Sequence, residues 1–225
     1  MVSACMIALC IAIIVLSAQS RLINRAVKKL HNECDPYPLL KETEEQLTYN
    51  NSPALRHVLL IDKAAALREI GSLDEAEAVL LELETEISGS ESIIQANAIV
   101  YFYNLSELYT EKRDYTTASK YYAIMMDKYS RLSSEAVKKT LAHALNGAMI
   151  LECYRCKDYK QALTLAASAP RKNRKSTVCT AFISAKCCIE LGDIQMARYY
   201  LSYVISNGGK LCYVDQARKL WTERL

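Results

Sequence analysis

The feature that most constrains the fold is a short pattern that occurs four times along the chain. Each copy has a Ser or Asp, then an apolar or aromatic residue, and an alanine three positions further on. The copies are GSLDEAEAVLLEL, RDYTTASKYYAIM, KDYKQALTLAASA and GDIQMARYYLSYV. The Ser or Asp can cap a helix by accepting a hydrogen bond from its first turn, and the alanine lets a second helix approach closely. The pattern therefore predicts four capped helices, each packed against a neighbour.

An amphipathic helix precedes each copy of this pattern. Its apolar residues recur at helical spacing, as in the pairs Ala64 and Leu67, Leu105 and Tyr109, Met149 and Cys153, and Ala185 and Cys188. The chain has only 6 Gly and 4 Pro in 225 residues, and no stretch alternates apolar and polar residues between hairpin turns. That composition argues against an all-β fold with many tight turns. We predict an all-α chain of helix–turn–helix units.

A helix, a short turn and a second helix that begins with the capped alanine resemble the tetratricopeptide repeat (TPR). The best match is Leu105-Ser106-x-x-Tyr109 followed by Ala118-x-x-x-Tyr122, where Ser106 replaces the usual glycine. The resemblance covers residues 53–211 and implies an α-superhelix, or solenoid, of about four TPR-like repeats. Residues 36–50 and a last helix over VDQARKLWTERL are expected to cap its two ends, with Trp221 as a buried anchor.

The N-terminal segment is apolar and is followed directly by basic residues. Residues 1–20 contain no charged side chain, and the run from Val2 to Ala18 would span about 25 Å as a helix, close to the roughly 30 Å hydrocarbon core of a bilayer. We predict one N-terminal transmembrane helix over residues 1–20, a basic juxtamembrane segment over 21–35 and the repeat domain over 36–225. A cleaved signal peptide is the alternative, although its basic residues would precede the apolar run.

The placement of charge predicts the orientation of this anchor. The chain carries a net charge of +3, and the excess lies in residues 21–33. Its basic residues are Arg21, Arg25, Lys28 and Lys29. By the positive-inside rule, the repeat domain of this single-pass protein of the cell membrane faces the cytoplasm, with these four residues at the membrane surface. Nine cysteines, an odd number, do not form the regular framework of a secreted disulfide-rich domain.

A search for catalytic or metal-binding motifs finds none that is complete. The sequence has no P-loop, no HExxH and no GxSxG, and its three histidines are scattered. Cys153-x-x-Cys156 has the spacing of a redox or metal pair, but it lacks a second pair, and both residues fall at apolar helix positions where we expect burial. The stretch Arg171–Lys175 is either a solvated loop or a contact for anionic lipid or an acidic partner. We predict no catalytic residue, no cofactor and no metal.

The resemblance to TPR proteins implies a concave groove that binds a peptide or protein. The first helix of each pair would line it, which nominates Ile61, Arg68, Tyr103, Asn104, Glu107, Leu151, Tyr154, Phe182, Lys186 and Ile189. One subclass clamps acidic C-termini with Lys, Asn and Arg; Asn104 matches it, but Ile61 and Ala144 stand where cations are required.

We therefore predict a non-catalytic, membrane-anchored scaffold for protein–protein interactions. Its partners are an unidentified protein or peptide and the lipid bilayer, with no nucleic acid and no small-molecule substrate. The alternatives are an exported TPR protein of envelope assembly with a cleaved signal peptide and a thiol-dependent enzyme.

Overall fold

The four repeated segments begin helices at their predicted caps. In a computed structural model that describes residues 21–49, 52–89 and 95–225, the side chains of Asp114, Asp158 and Asp193 each accept a hydrogen bond from the N–H three positions on, at 3.1 Å. The repeated alanines, Ala76, Ala118, Ala162 and Ala197, are all buried. Three of the four predicted caps and all four alanines thus have the structural roles that the sequence predicts.

The described residues form eleven helices and no strand, which confirms the all-α prediction. In chain order they are α1 (residues 21–33), α2 (Tyr37–Tyr49), α3 (Pro53–Ile70), α4 (Leu73–Gly89), α5 (Gln95–Glu111), α6 (Tyr115–Ser130), α7 (Glu135–Arg155), α8 (Tyr159–Ser168), α9 (Arg174–Leu191), α10 (Ile194–Asn207) and α11 (Tyr213–Arg224).

These helices pack as pairs. The pairs are α3 with α4, α5 with α6, α7 with α8, and α9 with α10, and the first helices of successive pairs also contact one another. This arrangement is consistent with a helical-repeat solenoid. The first helices α3, α5, α7 and α9 form one row, since each contacts the next, and we call the side of the array formed by this row the inner side.

The two ends of the array are in contact, which the sequence did not predict. Ala26 and Leu30 of α1 belong to the same apolar core as Leu201 and Val204 of α10. The backbone joins the ends as well, because the N–H of Lys210 donates to the carbonyl of Cys34 at 2.9 Å. A second such bond runs from Cys212 N–H to the carbonyl of Glu69, at 2.8 Å. The loop before α11 therefore packs against the end of α1 and the end of α3.

The basic segment that follows the apolar N-terminus is helical in the structure. Ala26 and Leu30 of α1 are buried, whereas Arg21, Arg25, Lys28 and Lys29 are exposed on the opposite face. The predicted anchor over residues 1–20 lies outside the described residues. Among those that are described, no helix is both long and apolar enough to cross a membrane.

The prediction that Trp221 anchors the C-terminal helix is wrong, since 39% of this residue is exposed. The buried face of α11 consists of Tyr213, Val214 and Ala217. Most side chains after Ala217 are exposed, although Leu220 and Leu225 pack against the core and Arg224 lies 3.7 Å from Glu190 of α9.

A pair of glycine substitutions tests the contact between the two ends. Gly209 (φ 57°) and Gly192 (φ 77°) both have a backbone that disfavours side chains, but only at Gly209 would a Cβ meet backbone, 2.6 Å from Glu33 O and 2.9 Å from Cys34 O. We expect Gly192→Ala to lower the free energy of unfolding by about 1–2 kcal/mol, because it adds only the strain of a positive φ. Gly209→Ala should lower it by at least twice as much, because its Cβ would also meet backbone. Thermal unfolding of the full chain in detergent, followed by circular dichroism, measures this. Equal losses would contradict the close contact at Gly209.

Candidate binding site

A cavity of about 510 Å³ lies on the inner side of the array. It is formed mainly by α5, α7, α9 and α11, so three successive repeats and the terminal helix contribute to one site. Its aromatic and aliphatic wall includes Tyr103, Ile150, Leu151, Phe182, Ile183 and Tyr213, and its charged lining includes Glu107, Glu111, Arg113, Lys175, Lys186, Lys219 and Glu223. This mixture of apolar walls and a few charges is typical of ligand-binding pockets.

Beneath the pocket, a buried arginine holds three carboxylates. The Arg68 guanidinium, 4% exposed, lies 3.0 Å from Glu69, 2.6 Å from Glu107 and 2.9 Å from Glu111. Burying a charge is costly unless it is paired, and here each charge has at least one opposite charge within contact distance. The ammonium of Lys175 in α9 reaches Glu69 as well, at 2.7 Å. We call these five residues the Arg68 cluster; they join α3, α5 and α9.

Two tyrosines complete the hydrogen bonding of the cluster. The hydroxyl of Tyr213 in α11 donates to Glu111 Oε1 at 2.8 Å, and the hydroxyl of Tyr103 donates to Glu107 Oε1 at 2.6 Å. Charge-assisted hydrogen bonds of this kind are stronger than neutral ones. The two carboxylates that line the pocket are therefore held in place by partners on α3, α5 and α11.

The Arg68 cluster has three acidic residues and two basic ones, and the pKa values reflect this imbalance. Burial raises the pKa of Glu111 to about 7, although Arg68 acts in the opposite direction. Burial also acts to raise the pKa of Glu69, but Lys175 and Arg68 hold it below its ordinary value. Among the described residues, Glu111 Oε2 has no hydrogen-bond partner, so it can take a proton without losing a bond. Glu111 is thus the carboxyl group of the cluster that is protonated near neutral pH.

Two cations at the pocket have no acidic partner. Within the described part of the chain, no carboxylate lies within 4.0 Å of the charged groups of Lys186 or Arg113. The Lys186 ammonium instead lies 4.4 Å from the centroid of the Tyr154 ring and 5.8 Å from that of Phe182, within cation–π range. Burial lowers the pKa of Lys186, and the positive charge of Arg113 acts in the same direction, whereas the carboxylates of Glu111 and Glu190 act against them from beyond contact distance.

The pocket contains half of the residues that the sequence nominated for a groove. Those that line it are Tyr103, Glu107, Leu151, Phe182 and Lys186. Arg68 is buried behind them, and Tyr154 carries the Lys186 ammonium on its ring.

The other three nominated residues are part of the packing between helices. Ile61 is buried in the core, Asn104 Nδ2 donates to Val100 O within its own helix, and Ile189 packs against the core that joins the ends. Whether any of the nominated residues binds a partner stays a prediction.

Several site residues were not nominated from the sequence. No sequence pattern marks three of them as site residues, because their neighbours in the site are distant in the chain. These residues are Glu111, Tyr213 and Cys179. Lys175 belonged to a basic stretch interpreted as a loop or a lipid contact, but it lies in the first turn of α9 and pairs with Glu69. The Asn173 side chain caps that helix by accepting from Ser176 N–H. For Lys175, the loop and lipid interpretations are therefore wrong.

The cysteines do not form a reactive site in the part of the chain that the structure describes. Cys156 is exposed, which corrects the prediction that it is buried, and Cys153 is half-buried. Burial raises the pKa of both thiols, and it raises that of Cys179, in the pocket lining, well above the usual value. These residues are thiols rather than thiolates at neutral pH. The described residues also contain no group of three or more His, Cys, Asp or Glu suited to a metal ion.

Comparison with known proteins finds no family model that matches the chain. No curated protein matches it. No solved structure does so either. The geometry of the pocket therefore carries the functional argument.

The pKa of Glu111 predicts how stability depends on pH. Folding raises this pKa from its ordinary 4.5 to about 7, so the folded state holds the proton more tightly than the unfolded state. The free energy of unfolding therefore falls as pH rises from about 4.5 through 7. We expect Glu111→Gln, which keeps an acceptor for the Tyr213 hydroxyl, to remove this loss of stability, which amounts to about 3 kcal/mol. Stability of both proteins at several values between pH 4.5 and 8 is the measurement.

The difference between wild type and variant isolates Glu111 from other groups. Asp62, whose pKa burial raises to about 6, contributes equally to both proteins. Glu45→Gln, at an exposed position of α2, is the matched control and should leave the pH profile unchanged. Parallel profiles for wild type and Glu111→Gln would contradict the assignment.

Proposed function

We propose that this chain is a non-catalytic binding module whose ligand site is the pocket between α5, α7, α9 and α11. The observation that carries this proposal is the cavity of about 510 Å³, with aromatic walls and charged groups from three repeats. Cavities of this size and lining accommodate ligands or the protruding parts of a partner. Within the proposal, the helix pairs are TPR-like repeats and the pocket takes the place of their concave groove.

The size of the pocket suggests what kind of partner segment it accepts. An α-helix with its side chains is about 10–12 Å across, and several turns of it would exceed a cavity of this volume. A few residues of an extended peptide, or the side chains of a protruding loop, are a better fit. We therefore propose that a short segment of a partner protein enters the pocket.

The chemistry of the pocket favours binding over catalysis. The Glu107 carboxylate is held by Arg68 and by the Tyr103 hydroxyl, and the Cys179 thiol lacks thiolate character. A catalytic base or nucleophile requires a group that is free to exchange protons with a substrate or to attack it. A thiol-dependent enzyme is therefore the less favoured alternative.

We further propose that residues 1–20 anchor the module in the membrane and that its repeats face the cytoplasm. The support is the amphipathic character of α1, whose exposed basic residues lie opposite its buried Ala26 and Leu30. Each basic residue near an anionic lipid surface contributes about 1 kcal/mol. Because α1 packs on the body, an anchor that continues from it would hold the repeats close to the bilayer.

Filling the pocket tests the binding function. Ala144 of α7 lines the cavity, whereas Ala167 of α8 is exposed on the outside of the array. We expect Ala144→Trp to reduce recovery of the partner severalfold, because the indole would occupy the ligand's space, and Ala167→Trp to leave recovery unchanged. Quantitative crosslinking in native membranes with mass-spectrometric identification measures this. Equal recovery with both folded variants would contradict a role for the pocket.

The N-terminus and its orientation can be tested separately. We expect the intact mass of the purified protein to include residues 1–20, and a C-terminal reporter that works only after export to stay inactive. Cleavage near Ser20, together with an active reporter, would favour the alternative of an exported envelope-assembly protein.

A further inference from the structure

The charges around the pocket are not evenly matched, and the imbalance indicates the chemistry of its ligand. Each carboxylate of the lining has a partner: Glu107 and Glu111 contact Arg68, and Glu223 lies 3.9 Å from Lys219. The Lys175 ammonium is paired with Glu69. Of the lysines and arginines in the described lining, Lys186 and Arg113 are the two with no carboxylate within 4.0 Å, and Glu111 acts on Lys186 only from a greater distance.

Lys186 and Arg113 line the cavity from two different parts of the chain. Lys186 belongs to α9, and Arg113 lies in the turn after α5, where its N–H donates to Thr110 O at 3.1 Å. They are close enough for the charge of Arg113 to act on the pKa of Lys186. The two cations repel each other, neither has a described carboxylate in contact, and the half-buried Lys186 has also lost part of its hydration. An anion between them would relieve both costs.

We propose that the pocket binds a carboxylate group through Lys186 and Arg113, with the apolar stem of that ligand against Leu151, Phe182 and Ile183. The inference rests on the proposed function, because it takes the pocket to be the ligand site. An arginine can hold both oxygens of a carboxylate, while a lysine acts as a point charge beside it. The source of the carboxylate is an acidic side chain of a partner segment or a free small acid.

A monoanion fits this pocket better than a phosphate dianion. Glu107, and Glu111 in its charged form, lie in the same lining and repel any anion that enters, and the repulsion doubles for a second negative charge. The aromatic and aliphatic walls also require an apolar portion next to the charge. These two features together select a carboxylate on an aromatic or aliphatic stem.

A pair of probes that differ only in charge tests this inference. Naphthoate carries a carboxylate on an aromatic stem, and naphthamide is its neutral analogue. We expect the wild-type full chain in detergent to bind naphthoate at least tenfold more tightly than naphthamide, as measured by fluorescence titration. Naphthyl phosphate should bind more weakly than naphthoate.

Three substitutions assign the preference to particular residues. Lys186→Met keeps the apolar stem over Tyr154 and should reduce the naphthoate-to-naphthamide ratio to within twofold. Arg113→Gln, at an exposed turn, should lower the ratio severalfold and serves if the first variant fails to fold. Lys160→Met removes an exposed cation of α8 that lies outside the pocket lining, and it should leave the ratio unchanged.

Each remaining outcome has a defined consequence. Equal affinity of wild type for both probes, no binding of naphthoate at millimolar concentration, or an unchanged ratio in folded Lys186→Met would overturn the carboxylate inference. None of these affects the test with Ala144→Trp, so the pocket could still be the partner site. Displacement of naphthoate by acetyl-Phe-Asp-Phe-amide but not by its Asn analogue would identify a peptide as the source of the carboxylate. Displacement by free hexanoate alone would identify a small acid as the source.

Discussion

The interior of this array depends on the pairing of Arg68 with three carboxylates. The guanidinium comes from α3, two of its partners come from α5, and its neighbour Glu69 is also bound by Lys175 of α9. Removal of one member of a buried ion pair typically costs 3–5 kcal/mol, because the other charge is left uncompensated. The same residues fix the floor of the pocket, so the stability of the array and the shape of its binding site depend on one set of charges.

Contact between distant repeats distinguishes this chain from an open solenoid, in which each repeat touches only its neighbours. Here α3 reaches α9 through Glu69 and Lys175, and it approaches α11 through Arg68 and the Tyr213 hydroxyl, 3.5 Å apart. Unfolding of the first repeat would therefore remove partners from the last helix. The closure also explains why the inner face forms a pocket instead of a continuous groove, since α11 covers part of that face.

Local features of the fold could be predicted from the sequence, and the site largely could not. A cap such as Asp114 acts on an N–H three residues away, and an alanine such as Ala118 marks a close helix contact, so both are visible in a short window. Arg68 and Lys175 are more than 100 residues apart, and charged residues are usually solvated. The sequence therefore favours a surface position for Lys175, because it does not show where the array closes. It favours a buried position for Trp221, because it does not show how α11 packs at its end.

The proposed carboxylate site and the Arg68 cluster share one pocket, so their protonation states are linked. A carboxylate bound at Lys186 and Arg113 adds negative charge near Glu111, whose pKa is already about 7, and raises that pKa further. It also stabilises the charged form of Lys186, whose pKa burial lowers. The effect on Glu111 takes up protons near neutral pH when the ligand binds. By thermodynamic reciprocity, affinity must then fall as pH rises through neutrality. Protonation of Glu111 therefore has two effects: it stabilises the folded state, and it favours the binding of an anion in the pocket.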